Sequence, residues 1–166
     1  MGPADLGTAG REDEKMGESF PVVDILSRAM EALAHMLGDQ IAEETGKVTG
    51  FRVVDAAGPK VEVTIQTKGN ILGTDYQGRT TYISEMQPGG FLFGQGQGIY
   101  MSGDGMAVWT GQGTGRFNPG GGVSYRGSLH FLTASGKLAN LAGKVGVFEH
   151  GTDANDNVAS KLWEWK

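Results

Sequence analysis

The chain has 166 residues, a formal net charge of -5 and no cysteine. This length suffices for one domain with a hydrophobic core, and the lack of cysteine excludes disulfides, thiolate zinc sites and cysteine nucleophiles. The acidic balance argues against nucleic-acid binding. No apolar stretch approaches the roughly 18 residues of a membrane span, and no signal peptide is recognisable. We therefore expect a cytoplasmic protein without nucleic-acid or membrane partners.

The N-terminal part of the chain predicts a tail followed by a helix. Residues 1–19 are small, polar or charged, which is typical of a disordered tail. Residues 20–46 are predicted to form a helix and a linker, because apolar side chains recur at steps of three and four. These apolar positions are Val22, Leu26, Met30, Leu33, Leu37 and Ile41.

From Lys47 onward the hydrophobic period changes to two, which indicates strands. Eight are predicted, at 47–56, 60–73, 75–87, 91–101, 105–118, 122–134, 141–150 and 157–165. The short turns between them favour antiparallel hairpins, and eight such strands can close and remove both sheet edges. The predicted fold is all-β: an eight-stranded antiparallel up-and-down barrel over residues 47–166, with an N-terminal helix. A two-sheet sandwich is the alternative.

Two glycine-rich runs, GQGQG at 94–98 and GQGTG at 111–115, lie within predicted strands. A dinucleotide-binding loop would need a helix directly after its glycines, whereas the second run is followed by a turn and another strand. No Gly-Lys-Ser/Thr phosphate loop is present either. The runs are therefore interpreted as paired strands.

Hairpin pairing predicts which side chains point into the barrel. We take Tyr125 and Phe131 as inward-facing. A hairpin turn at residues 118–122 then places Phe117 opposite Val123 and Trp109 opposite Phe131. The inward set then includes Gly94, Gly96, Gly98, Tyr100, Gly111, Gly113 and Gly115. These glycines either make room for Trp109 and Tyr125 or leave a cavity for a small, mostly apolar ligand.

The same pairing suggests where chemistry could occur. Glu149 is predicted opposite Tyr125 at one barrel end, where an acid in apolar surroundings beside a phenol could transfer protons; a solvated rim position is the alternative. Glu164 is a second possible interior carboxylate. Glu149 and Tyr125 are the catalytic candidates, and the ligand-binding candidates are Trp109, Tyr82, Tyr100, Phe131, Gly96 and Gly113.

The strand at 75–87 allows two registers. One places Arg79, Ile83 and Glu85 inside, and the other places Tyr82, Ser84 and Met86 inside. Apolar content favours the second register, which makes Tyr82 a hydrogen-bond donor near the glycine wall.

The histidines His35, His130 and His150 do not converge in this arrangement, so no metal site is expected. No residue pattern indicates a cofactor, and no Gly-x-Ser-x-Gly elbow or His-based triad is apparent.

The segment TASGKLANLAGKVGVFE at 133–149 resembles the penultimate hairpin of allene oxide cyclase-like (calycin-like) β-barrels and their bacterial relatives. The FGQGQG and GQGTGRF strands are similar in style to strands of that family, and the resemblance covers about residues 47–166. It implies an eight-stranded antiparallel barrel with a ligand cavity, often in a homo-oligomer. Members include cyclases that guide a reactive, largely apolar substrate.

Three functions follow as hypotheses. The first is a barrel that binds a small apolar molecule, as a cyclase or isomerase acting in the cavity. The second is a non-catalytic carrier that uses the same cavity. The third is a structural or oligomerisation module.

Overall fold

The computed structural model describes residues 38–166, which form a closed barrel of eight antiparallel strands. Each strand pairs with the next in the chain, and the last pairs with the first. The strands are β1 (Gln40–Asp55), β2 (Lys60–Ile71), β3 (Thr74–Gln87), β4 (Phe91–Ser102), β5 (Gly105–Phe117), β6 (Val123–Ala134), β7 (Val145–Thr152) and β8 (Asn157–Glu164). The predicted all-β up-and-down barrel is confirmed, and the sandwich alternative is wrong.

The predicted tail and most of the predicted helix lie outside the described residues. Strand β1 begins at Gln40, earlier than the predicted Lys47, so the assignment of residues 40–46 to a helix and linker is wrong. This segment pairs with β2 on one side and β8 on the other, and that tertiary pairing outweighs its local helical pattern. Within residues 38–166, no helix is long and apolar enough to cross a membrane.

A 3₁₀ helix, Gly136–Leu141, connects β6 to β7 and packs into the hydrophobic core. Its Leu138 and Leu141 side chains are almost completely buried. The core around them is aromatic and aliphatic, comprising Ile41, Ala42, Ile71, Tyr76, Tyr100, Ala107, Trp109, Leu129, Phe131 and Leu162. Strand β7 starts at Val145 rather than at the predicted residue 141, since Gly143 has a φ of 77° and the chain is still turning there.

The pairing of β5 with β6 is as predicted, with Phe117 opposite Val123 and Trp109 opposite Phe131. Phe117 nevertheless does not pack inside: it lies at the end of β5 and is 64% exposed. In β3, the buried position of Ser84 confirms the second of the two registers considered.

Candidate functional site

The interior of the barrel contains a cavity of about 80 Å³. Its wall is mostly apolar, with Ala42, Ile65, Leu129, Phe148 and Leu162 among the residues that line it. Aromatic and polar side chains also line it: Glu44, Tyr76, Thr80, Tyr82, Tyr100, Trp109, Tyr125, His150 and Ser160. A concave, mainly apolar site with a few polar groups is the usual form of a small-molecule site.

The inward glycines of β4 and β5 serve both of the purposes considered for them. Gly98 and Gly115 make room for aromatic rings, because a Cβ on Gly98 would lie 2.5 Å from Trp109 Cε2, and one on Gly115 would lie 2.7 Å from Tyr125 Cδ1. Gly96 and Gly113 border the cavity itself. The glycines thus make room for the Trp109 and Tyr125 rings and border the cavity that these rings line.

Glu44, on β1, places a carboxylate in this interior. Its Oε2 atom accepts hydrogen bonds from the Thr67 and Tyr76 hydroxyls, each at 2.8 Å. The Tyr76 contact follows from register, since Gly69 of β2 pairs with Glu44 on one side and with Tyr76 on the other. The glycine leaves the space through which Tyr76 reaches the carboxylate, as a Cβ on Gly69 would lie 2.8 Å from that of Glu44.

Burial, together with the nearby Glu44, keeps the phenols of Tyr76 and Tyr100 protonated. Burial, the adjacent Tyr100 and the Glu44 charge all raise the pKa of Tyr76. Burial, followed by the Glu44 charge, raises the pKa of Tyr100 well above its ordinary value. Both hydroxyls therefore act at neutral pH as hydrogen-bond donors and not as phenolates.

A second polar cluster lies where β3, β6, β7 and β8 border the cavity. The Tyr125 and Ser84 hydroxyls share a short hydrogen bond, and His150 Nδ1 lies 3.0 Å from Ser160 Oγ. The Tyr82 ring packs edge-on against Tyr125 and His150, with centroid distances of 5.9 and 5.8 Å. Burial raises the pKa of Tyr82 and of Tyr125, so these phenols are also neutral.

Burial lowers the pKa of His150 from 6.5 to about 4, so its imidazole is neutral at pH 7. Its Nε2 atom is buried and has no hydrogen-bond partner within residues 38–166. The indole N–H of Trp109 is also buried, but it interacts with the Tyr100 hydroxyl. His150 lines the cavity. A buried polar atom without a partner costs about 1–3 kcal/mol, so His150 favours a guest that supplies one.

The predicted orientation of Glu149 is wrong. It pairs with Arg126 on the outer face, forms a 3.0 Å ion pair with that residue, and has a side chain 52% exposed. His150 takes the predicted place of Glu149 opposite Tyr125. The predicted register of β7 against β6 is wrong by one residue, because the 3₁₀ helix removes part of the connection from the β6–β7 ladder.

The other predicted residues are placed as follows. Tyr125, Trp109, Tyr82, Tyr100, Gly96 and Gly113 all border the cavity. Phe131 lies in the core behind it, with its ring 6.1 Å from that of Tyr100. Glu164 forms an ion pair with Lys144 and does not line the cavity.

Sequence reasoning missed Glu44 and His150. Glu44 was assigned to the helix and linker, and no sequence signal marks its inward position, because residues 42–46 (AEETG) do not alternate apolar with polar side chains. His150 was excluded by the register error in β7. In the described part of the chain, no three acidic or histidine side chains are grouped as metal ligands would be.

No family model, curated protein or solved structure matches this chain. Its function is therefore inferred from the geometry of the cavity.

The pKa of His150 predicts a loss of stability in acid. The unfolded state binds a proton near pH 6.5 and the folded state only near pH 4, so stability is fully present above pH 6.5 and falls between these values. The slope is at most about 1.4 kcal/mol per pH unit. Urea unfolding at several pH values should show this loss in the wild type and a smaller one in His150→Gln.

His130→Gln is the matched control, because His130 is exposed on the outer face of β6. It should leave the acid-dependent loss unchanged. Equal pH dependence in wild type and His150→Gln would contradict the assignment of this loss to His150.

Proposed function

We propose that this protein binds a small, mostly apolar molecule inside its barrel. The observation that carries the proposal is an apolar-lined cavity bordered by His150, whose buried Nε2 atom has no hydrogen-bond partner within residues 38–166. A ligand with an apolar body and a polar group would fill the space and pair this nitrogen.

The size of the cavity limits the ligand. A cavity of about 150 Å³ lined by apolar side chains holds one benzene molecule. A volume of about 80 Å³ therefore suits on the order of four non-hydrogen atoms. A larger ligand would require movement of the lining side chains.

An isomerase or cyclase acting in the same cavity is a second candidate. It is favoured by a neutral imidazole beside the Tyr125 ring, with an Nε2 atom that has no partner within residues 38–166, since these groups could exchange a proton with a bound substrate. The resemblance to allene oxide cyclase-like barrels supports this candidate as a proposal. A His150→Gln variant that binds ligand but loses turnover would distinguish the enzyme from a carrier.

Filling the cavity tests the proposed binding. Ala42→Leu adds three carbon atoms at a buried position that lines the space. We expect small apolar probes, screened by NMR with xenon as the smallest, to shift cavity-lining methyl signals in the wild type. Affinity should fall about tenfold or more in the variant, because it loses most of the available volume.

Ala159→Leu is the matched control, since Ala159 is exposed on the neighbouring strand β8. It should bind the probes as the wild type does. Ile65→Phe fills the cavity from another strand and serves if Ala42→Leu does not fold. Absence of any probe binding to the wild type, or unchanged binding in a folded filled variant, would overturn the proposal.

A further inference from the structure

One oxygen of the Glu44 carboxylate accepts no hydrogen bond from the described residues. Both hydrogen bonds to Glu44 are accepted by Oε2, and Oε1 accepts none from residues 38–166. The residue is only 9% exposed and borders the cavity. The barrel therefore offers a guest a strong acceptor that is not already in use.

The charge of this carboxylate is also not balanced by the described part of the chain. None of the ion pairs formed there includes Glu44. Lys161 borders the cavity too, but it is exposed at an outward-facing position of β8. His150 faces the same space as a neutral imidazole. A cation bound at Oε1 would supply the counter-charge that the described residues do not.

Aromatic rings surround the same space. Tyr76, Tyr100 and Trp109 line the cavity, with centroid distances of 4.1 Å for Tyr76–Tyr100 and 6.0 Å for Tyr100–Trp109. Aromatic faces attract cations, most strongly where water is excluded. The carboxylate and the aromatic rings therefore both favour a positively charged ligand.

From these observations we infer that the ligand is a small organic cation, a short alkylammonium whose N–H groups donate to Glu44 Oε1 and whose carbon chain lies against the apolar wall. The inference rests on the proposed binding in the barrel and adds the chemical class of the ligand. It predicts discrimination by charge among molecules of equal size.

Three probes of matched size test this inference: propylammonium, propan-1-ol and propionate, titrated at pH 7 by NMR against the wild-type protein. Propylammonium is expected to bind about tenfold or more tightly than propan-1-ol, since a hydrogen bond to a charged partner is stronger than a neutral one. Propionate is expected not to bind. Equal or weaker binding of propylammonium than of the alcohol would overturn the inference.

Glu44→Gln tests whether the carboxylate causes the preference for the amine. It should abolish the difference in affinity between propylammonium and propan-1-ol. Glu43→Gln is the matched control, as Glu43 is exposed on the adjacent position of β1, and it should keep the preference. Tyr76→Phe keeps the charge while removing one donor to Oε2, so it too should prefer the amine. A preference that survives Glu44→Gln, or is lost in folded Tyr76→Phe, contradicts the assigned role of Glu44.

The outcomes separate this inference from the proposed function. If propan-1-ol and xenon bind but the amine has no advantage, the barrel binds small molecules and only the cation preference is wrong. If no probe, xenon included, binds to the wild type, the proposed function fails and the inference fails with it.

Discussion

Replacing Leu141 with alanine is expected to lower the free energy of unfolding by about 2–5 kcal/mol, the range for truncating a fully buried leucine. Leu141 is 0% exposed and ends the 3₁₀ helix that packs into the core. Its loss would leave a void in the core cluster that includes Phe131 and Leu138, and the surrounding closed sheet cannot readily collapse to fill it. Urea unfolding monitored by tryptophan fluorescence measures the change.

Leu132→Ala is the matched control, because Leu132 lies nearby on β6 but is 56% exposed. It should change the unfolding free energy by about 0.5 kcal/mol or less. Equal effects of the two substitutions would show that the 3₁₀ helix does not contribute to the core as described.

Adding a single methyl group in Gly98→Ala is expected to destabilise the protein by about 1–3 kcal/mol, as overpacking does. The new Cβ would lie 2.5 Å from Trp109 Cε2 and 2.8 Å from Thr80 Oγ1, so the indole must move. The same movement should alter the cavity that Trp109 lines, and xenon binding by NMR reports it. Thermal unfolding measures the loss of stability.

Gly103→Ala is the control, since a Cβ at this turn position would have no neighbour within 4 Å. It should be nearly neutral. In a double-mutant cycle, Trp109→Phe should reduce the cost of Gly98→Ala, because the smaller ring makes room for the methyl group. Strict additivity of the two changes would contradict the proposed contact.

The barrel could be predicted from the sequence because its connections are short and its alternation is regular. Between β4 and β6 the hairpin turns fix the register, and the pairing of Trp109 with Phe131 follows by counting residues. The same counting brought Gly96, Gly113, Trp109 and Tyr125 to one interior space. The glycines are themselves informative, since their alternation with glutamine and threonine marks the inner face.

The polar half of the site could not be predicted in the same way. Glu44 sits at an inward position, where hydrophobic periodicity expects an apolar side chain, and its two donors come from strands β2 and β3. Such a network exists only once the strands have paired. His150 was missed because a 3₁₀ helix, unlike a tight turn, does not conserve the count of residues across a hairpin.

The pairing of β8 with β1 has a consequence for the order of folding. Seven of the ladders join strands that are neighbours in the chain and can form locally, whereas this one joins Gln40–Lys47 to Asn157–Trp163. Closing so long a loop costs entropy before its contacts are gained, so we expect it to be the slow step. During synthesis the edges of β1 and β7 stay unpaired until β8 leaves the ribosome, and the nascent sheet is open to pairing with other chains until that moment.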